Sequence, residues 1–247
     1  MVYQLDDEVY KIAYSESQVK ESVLWESHCH TQFEMILVAE GDVTVTVEGK
    51  KHRLKNGQGV IVPPLLYHTV TAKTTGSYRR ITALFGPDGI PKVLRSEFAD
   101  RVTRFAYGSQ RLQELCQKQE ASYYAPLAQS LMVQLFYDAS QEIQNAVYVE
   151  VDEFVQKATQ YIDKHLHEKI CLADLAKHMA RSESSFCRLF EKKMHITPKQ
   201  YILQKKLALA QKLIDEGMPR TAAAMQVGYD NYSSFYRLYG KERRQTE

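Results

Sequence analysis

Four side chains in the first third of the sequence have the types and spacing for metal or polar-ligand chemistry. His28 and His30 flank Cys29, Glu34 follows four residues after His30, and His68 stands downstream. Side chains alternate faces along a strand, so a His-x-His pair presents both rings to one side. With Glu34 and His68 it makes a three-histidine, one-carboxylate set that suits Fe, Mn, Zn or Ni. The same groups also serve a cavity that holds no metal and hydrogen-bonds a small molecule, and this reading is preferred. No cofactor is therefore assigned, with a divalent metal at His28, His30, Glu34 and His68 kept as the alternative. Trp25, the single tryptophan, either offers an aromatic surface to a ligand or packs as a core or rim ring. Effector contacts are thus expected at Trp25, His28, His30, Glu34 and His68. Arg79-Arg80 could meet an anionic ligand, but in a strand one of the two must face away.

A second constellation lies near the carboxyl end. Ser184-Ser185-Phe186-Cys187-Arg188-Leu189-Phe190 recurs 49 residues later as Ser233-Ser234-Phe235-Tyr236-Arg237-Leu238-Tyr239, with five of seven positions identical. Each copy follows a short helical stretch and a tight turn. Leu172 to Met179 and Ala180-Arg181-Ser182 precede the first; Arg220 to Gln226 and Val227-Gly228-Tyr229 precede the second. Phe186, Leu189 and Phe190, three and four apart, form one apolar helix face. The other face carries Ser184, Cys187 and Arg188, and in the second copy Ser233, Tyr236 and Arg237. Such a helix can enter a major groove, where arginine pairs bidentately with guanine. One hairpin of this kind could be ordinary packing; a duplicated one with the same arginine favours double-stranded DNA as partner.

The elements around these residues can be read locally. Ser182 is the expected N-cap of the first reading helix, and Asp230 or Asn231 of the second. Thr197-Pro198-Lys199-Gln200 opens a connecting helix that runs to about Glu216. Its length, about 28 Å, approaches the roughly 34 Å repeat of DNA. Upstream, Val43 to Val47 alternates with period two, Phe33–Val38, Val60–Val62 and Ile81–Phe85 are strand candidates, and Gly41-Asp42, Glu48-Gly49 and Asn56-Gly57 mark turns. Strands come first and helices after, which argues for an all-β domain joined to an all-α one. The expected divisions are 1–105 for a β barrel, 106–147 for a helical linker and 148–247 for the DNA-binding part. Gln110–Gln119 and Ala125–Gln144 read as helices of that linker, the second either a dimerisation helix or a helix packed on the barrel. Dimerisation is preferred, because regulators often bind paired half-sites.

Bulk properties restrict the alternatives. Formal net charge is +2 overall, divided as +4 over residues 148–247 and −2 over the rest. That asymmetry permits a local nucleic-acid patch without requiring one. The four cysteines, Cys29, Cys116, Cys171 and Cys187, form no CxxC pair and no disulfide framework is expected. No apolar run approaches the roughly 18 residues of a membrane span, and the acidic start lacks an apolar signal core. A cytoplasmic protein with no membrane partner is expected.

Residues 155–246 resemble the arabinose-regulator (AraC/XylS) family of bacterial activators. The resemblance rests on Tyr161-Ile162, Leu172-Ala173-Asp174-Leu175-Ala176, Ser182 through Phe190, Thr197-Pro198-Lys199-Gln200-Tyr201, Leu207-Ala208-Leu209-Ala210 and Gly228-Tyr229 through Tyr239. It implies that Ser184, Cys187, Arg188, Ser233, Tyr236 and Arg237 face bases. The sequence departs from the family where His195 and Arg244 replace glycine, where Arg220 and Ala223 replace larger apolar residues, and at Glu247, opposite Pro198, where a closing helix would begin. The first unit is therefore expected to anchor DNA more firmly than the second. The His28-to-Gly41 and Gly57-Pro63-His68 spacings resemble the two motifs of the cupin barrel, with Leu65 where glycine is frequent. Together these imply an α+β multidomain protein: an N-terminal all-β cupin-like barrel, a helical linker, and a C-terminal all-α domain with two helix-turn-helix units. The implied function is an effector-responsive, homodimeric transcription regulator, not an enzyme, with an unknown small molecule as effector. One alternative is a metal-dependent cupin enzyme fused to a nucleic-acid module; another is a regulator controlled by a protein partner.

Overall fold

A computed structural model describes residues 2–6, 9–25, 27–72, 75–99, 101–106, 124–142, 150–233 and 235–239. Cys116, the 110–119 stretch, Ile143, Gln144, Arg244 and Glu247 lie outside the described residues. The chain divides into two compact units, one of Met1–Glu26 and Gln32–Glu150, the other of Ser27–Thr31 and Val151–Glu247.

The first unit is built from two antiparallel sheets. One runs in the order β1 (Val2–Asp6), β2 (Tyr10–Val19), β9 (Gly76–Phe85), β4 (Phe33–Glu40), β7 (Gln58–Val62) and β10 (Thr103–Ala106). In the other, β6 (Lys50–Lys55), β5 (Asp42–Val47), β8 (His68–Ala72) and β3 (Val23–Leu24) lie side by side. The period-two pattern of β5 buries Val43, Val45 and Val47. Glu48 and Gly49, both at positive φ, close the β5–β6 hairpin as a two-residue turn. Asn56-Gly57 carries the chain from β6 in one sheet to β7 in the other.

Strand β4 is apolar on both faces because both faces are covered. Ile36 and Val38 join Val43, Val45, Val60, Val62 and Val70 in a core drawn from both sheets. Phe33, Met35 and Leu37 look outward with Ile81, Ala83 and Phe85. That outward face is covered by a helix, Tyr124–Glu142, through Ala128, Leu131, Met132, Leu135, Phe136 and Ala139. The stretch expected as a linker is thus, over its described part, a layer of the first unit. Its apolar stripe is the sheet's own cover, so amphipathicity alone could not tell docking from dimerisation. Gly59 of β7 stands opposite Phe105 of the neighbouring β10, and a Cβ there would lie 2.3 Å from the Phe105 ring.

The second unit is helical. We number its helices α1 (Glu153–Lys164), α2 (Leu172–His178), α3 (Glu183–Met194), α4 (Pro198–Asp215) and α5 (Arg220–Gln226). A further helical stretch includes residues 232, 233 and 235–239.

Candidate nucleic-acid interface and candidate metal centre

The first helix-turn-helix consists of α2, a turn at Ala180 and α3. Ser182 caps α3 as expected, its Oγ accepting from the Ser185 N–H at 3.3 Å. Phe186 and Phe190 are fully buried. Phe186 meets Phe154 of α1 at 5.7 Å between ring centres, and Phe190 meets Tyr201 of α4 edge-on at 5.4 Å. With one face fixed on both neighbouring helices, the opposite face is left to solvent. There Ser184 and Arg188 are exposed and Cys187 is half-buried. Burial pushes the Cys187 thiol pKa up, aided by Glu183 and Glu191, so the residue presents a neutral thiol. The helix ends at His195 in the left-handed conformation, φ 57°, its N–H donating to Glu191 O.

The second helix-turn-helix consists of α5, a turn at Gly228 and the stretch 232–239. Ala223, Ala224, Val227, Phe235 and Tyr239 pack on Leu207 and Ala210 of α4. Of the two candidate caps, Asn231 accepts through Oδ1 from the Ser233 N–H at 2.9 Å. Ser233, Tyr236 and Arg237 are exposed, so the two copies present matching residues outward.

Between them, α4 opens with the expected capping box of Thr197 and Gln200. At 1.5 Å per residue its 18 residues span about 27 Å. Two lysines of this helix were missed by sequence reasoning because lysine ordinarily lies at the surface. Lys205, 3% exposed, pairs with Asp163 of α1 at 2.9 Å. Lys206 donates to two carbonyls, Glu168 O in the loop before α2 and Val227 O in the second turn at 2.7 Å. Burial pulls its pKa down. Gly228, at φ 72°, sits against this junction: a Cβ would lie 2.7 Å from the Glu168 backbone. His167 Nδ1 also reaches Gln226 O at 2.8 Å. No local signal marks Lys206; its partners lie 38 and 21 residues away.

His28, His30, Glu34 and His68 each offer one ligand atom, all within 4.8 Å of one another. Glu34 is carried by β4 and His68 opens β8. The histidine pair lies between β3 and β4, not in a continuous strand. The path of that segment, and not strand alternation alone, brings the rings together, 5.5 Å apart. Glu34 and His68 are buried, His30 is half-buried and His28 is exposed. His68 Nδ1 lies 2.8 Å from Leu66 O. A carbonyl only accepts, so Nδ1 carries the hydrogen. Nε2 then stands 2.7 Å from Glu34 Oε2, a contact that needs a proton or a cation between the two. The donor set and this contact both fit a divalent ion. The Trp25 ring rests on Tyr78 at 5.1 Å and under the Arg80 guanidinium.

Comparison with known proteins adds two domain matches. A cupin domain model matches residues 15–82, and a helix-turn-helix domain model matches residues 175–246. The Arabinose operon regulatory protein of Escherichia coli K12 is 25% identical over 65% of this chain and 52% of its own length. The chain joins a cupin domain to a helix-turn-helix domain of the AraC type. A probable transcriptional regulator, LumQ of Photobacterium leiognathi, is 42% identical over 32% of this chain and 34% of its own length. An uncharacterised helix-turn-helix transcriptional regulator of Escherichia coli K12, YdiP, is 23% identical over 87% of this chain and 78% of its own length. The helix-turn-helix match thus includes α3 and the described residues of 232–239, and the cupin match includes all four tetrad residues.

Proposed function

We propose that this protein is an effector-responsive transcription regulator that binds double-stranded DNA sequence-specifically through α3 and the 232–239 stretch. The carrying observation is the pair Arg188 and Arg237, exposed at the same place in two helix-turn-helix copies joined by one continuous helix. That spacer suits docking in successive major grooves. Ser184, Cys187, Ser233 and Tyr236 are the neighbouring base contacts. The cupin domain acts as the sensor, with its tetrad and Trp25 among the effector contacts.

The protein acts as a cytoplasmic homodimer and is not an enzyme. No helix among the described residues is long and apolar enough to cross a membrane. The outer face of the Tyr124–Glu142 helix exposes Leu127, Val133 and Tyr137, and a second copy of the chain would cover them. Sedimentation that gives a monomer mass at every concentration would count against the dimer. Genomic footprinting followed by titration of a recovered site tests the main reading. The expected result is binding about 10³-fold or more tighter than to unrelated DNA; equal affinity for both would refute it.

The converging tetrad favours a second reading, a metal-dependent cupin enzyme fused to the DNA reader. Metal would then be held by His28, His30, Glu34 and His68 and would supply Lewis acidity. Metal analysis of untagged protein separates the two. Stoichiometric metal that is lost in His68→Ala supports the second reading; substoichiometric metal, unchanged by added Fe, Zn or Mn, removes it.

A further inference from the structure

The exposed side of α3 does not carry donors alone. Glu183 opens the helix directly after the Ser182 cap and is exposed, as is Arg188. Glu183 precedes Cys187 by four residues, so the two lie on one face of the helix. Its charge reaches that thiol: burial is the main cause of the raised Cys187 pKa, and Glu183 adds to the rise. The Glu183 carboxylate and the Arg188 guanidinium have no ion-pair or hydrogen-bond partner among the described residues. A first-turn acid suits the dipole of any helix. The second copy, however, has Tyr232 at the matching position, half-buried, its ring 6.2 Å from that of Phe235. The helix-turn-helix geometry therefore does not itself demand an acid there.

An acid on such a face has a cost. Entry into a groove brings it toward phosphates, and a carboxylate there opposes association with DNA of any sequence. The cost is offset only where a base edge offers a donor. In the major groove guanine presents two acceptors, and thymine presents an acceptor and a methyl group. Adenine sets its N7 acceptor beside the N6 donor, whereas cytosine presents the N4 donor alone. Base edges are met by the N-terminal residues of a recognition helix, which is where Glu183 stands. Arg188 follows about 7.5 Å further along the axis, or about two base-pair steps.

We propose that Glu183 selects cytosine in the half-site read by the first helix-turn-helix, within about two base pairs of the guanine met by Arg188. This rests on the reading of α3 as a DNA-reading helix. The carboxylate only accepts and the guanidinium only donates, so the two residues demand opposite chemistry from neighbouring base pairs. Selection comes from repulsion of the acceptor-bearing bases as well as from attraction to cytosine. The second copy, with Tyr232 in this place, imposes no such cytosine.

The test is selection by the full chain from a pool of randomised duplex DNA, followed by titration of the selected duplex and its single-base variants. Arg188→Ala locates the guanine position, where its discrimination relaxes. The wild type should require cytosine within about two base pairs of that position, binding about tenfold more weakly when it is replaced. Glu183→Gln should move the preference to adenine, whose N6 and N7 suit an amide. Glu183→Ala should abolish the preference and tighten binding to the duplexes that carry the other bases. Neither variant should alter preferences in the other half of the site. Thermal unfolding alongside separates a role confined to the helix dipole, which would lower Tm without moving any base preference. No cytosine requirement there, one base profile shared by the wild type and both variants, or an equal change for all duplexes would overturn the proposal and leave α3 standing as a DNA reader. Enrichment of no duplex at all would overturn that reading as well.

Discussion

The two helix-turn-helix copies share a motif but not the means that hold their turns. In the first, the turn residue Ala180 has φ 52° and faces solvent. In the second, Gly228 is pressed against the Glu168 backbone, with Lys206 Nζ beside it. Glu168 belongs to the loop that leads into the first copy. Lys206 donates to both that loop and the second turn, and His167 adds a bond to Gln226. The first copy is therefore seated on α1 and α4 by aromatic packing. The second is tied by its turn to the approach of the first. A repeated sequence need not give two independent readers, because the second takes its position partly from the first.

This asymmetry can be broken in graded steps. Phe190→Ala empties the contact between α3 and Tyr201 and should cost about 3–5 kcal/mol of stability. Urea unfolding of the full chain checks it, and DNA binding by both copies should fall together. Gly228→Ala places a methyl group against the Glu168 backbone at positive φ. A loss of about 2–3 kcal/mol is expected, with DNA contacts of the second copy affected first. Retained stability would show that the turn is looser than the packing implies.

Lys206→Met keeps the side-chain volume and leaves Glu168 O and Val227 O without their shared donor. It should cost about 1–3 kcal/mol and weaken footprint protection at the second half of the site while sparing the first. Equal weakening of both halves would deny the tie. The smallest steps are Ser182→Ala and Asn231→Ala, each worth about 1 kcal/mol as lost caps. Similar values would show that the copies differ in their turns and not at their helix starts.

Much of this was legible from short-range patterns. Ser182 and Thr197-Pro198-Lys199-Gln200 marked helix starts because capping chemistry is local, and the recurrence of Ser-Ser-Phe-x-Arg-Leu placed both outward faces. His28, His30, Glu34 and His68 were identifiable as a set by spacing. What could not be read was long-range. Arg79 pairs with Glu16 and Glu40 while Arg80 lies over the Trp25 ring, and these partners stand on other strands or loops. Lys206 looks like a solvated surface lysine until the fold brings Glu168 and Val227 to it. The outer stripe of the Tyr124–Glu142 helix gave no hint that its opposite face already served the sheet.

The most direct test of the central claim is a set of binding titrations with Arg188→Ala and Arg237→Ala on a recovered site and its single-base variants. For Arg188→Ala the expected loss is about 1–3 kcal/mol, with discrimination relaxed at one base position. Arg237→Ala should relax a different position, about one helical turn away, by the same amount or less. Uniform losses across all sequences would make both arginines phosphate contacts, and no loss from either would contradict the assignment of these helices as the DNA readers.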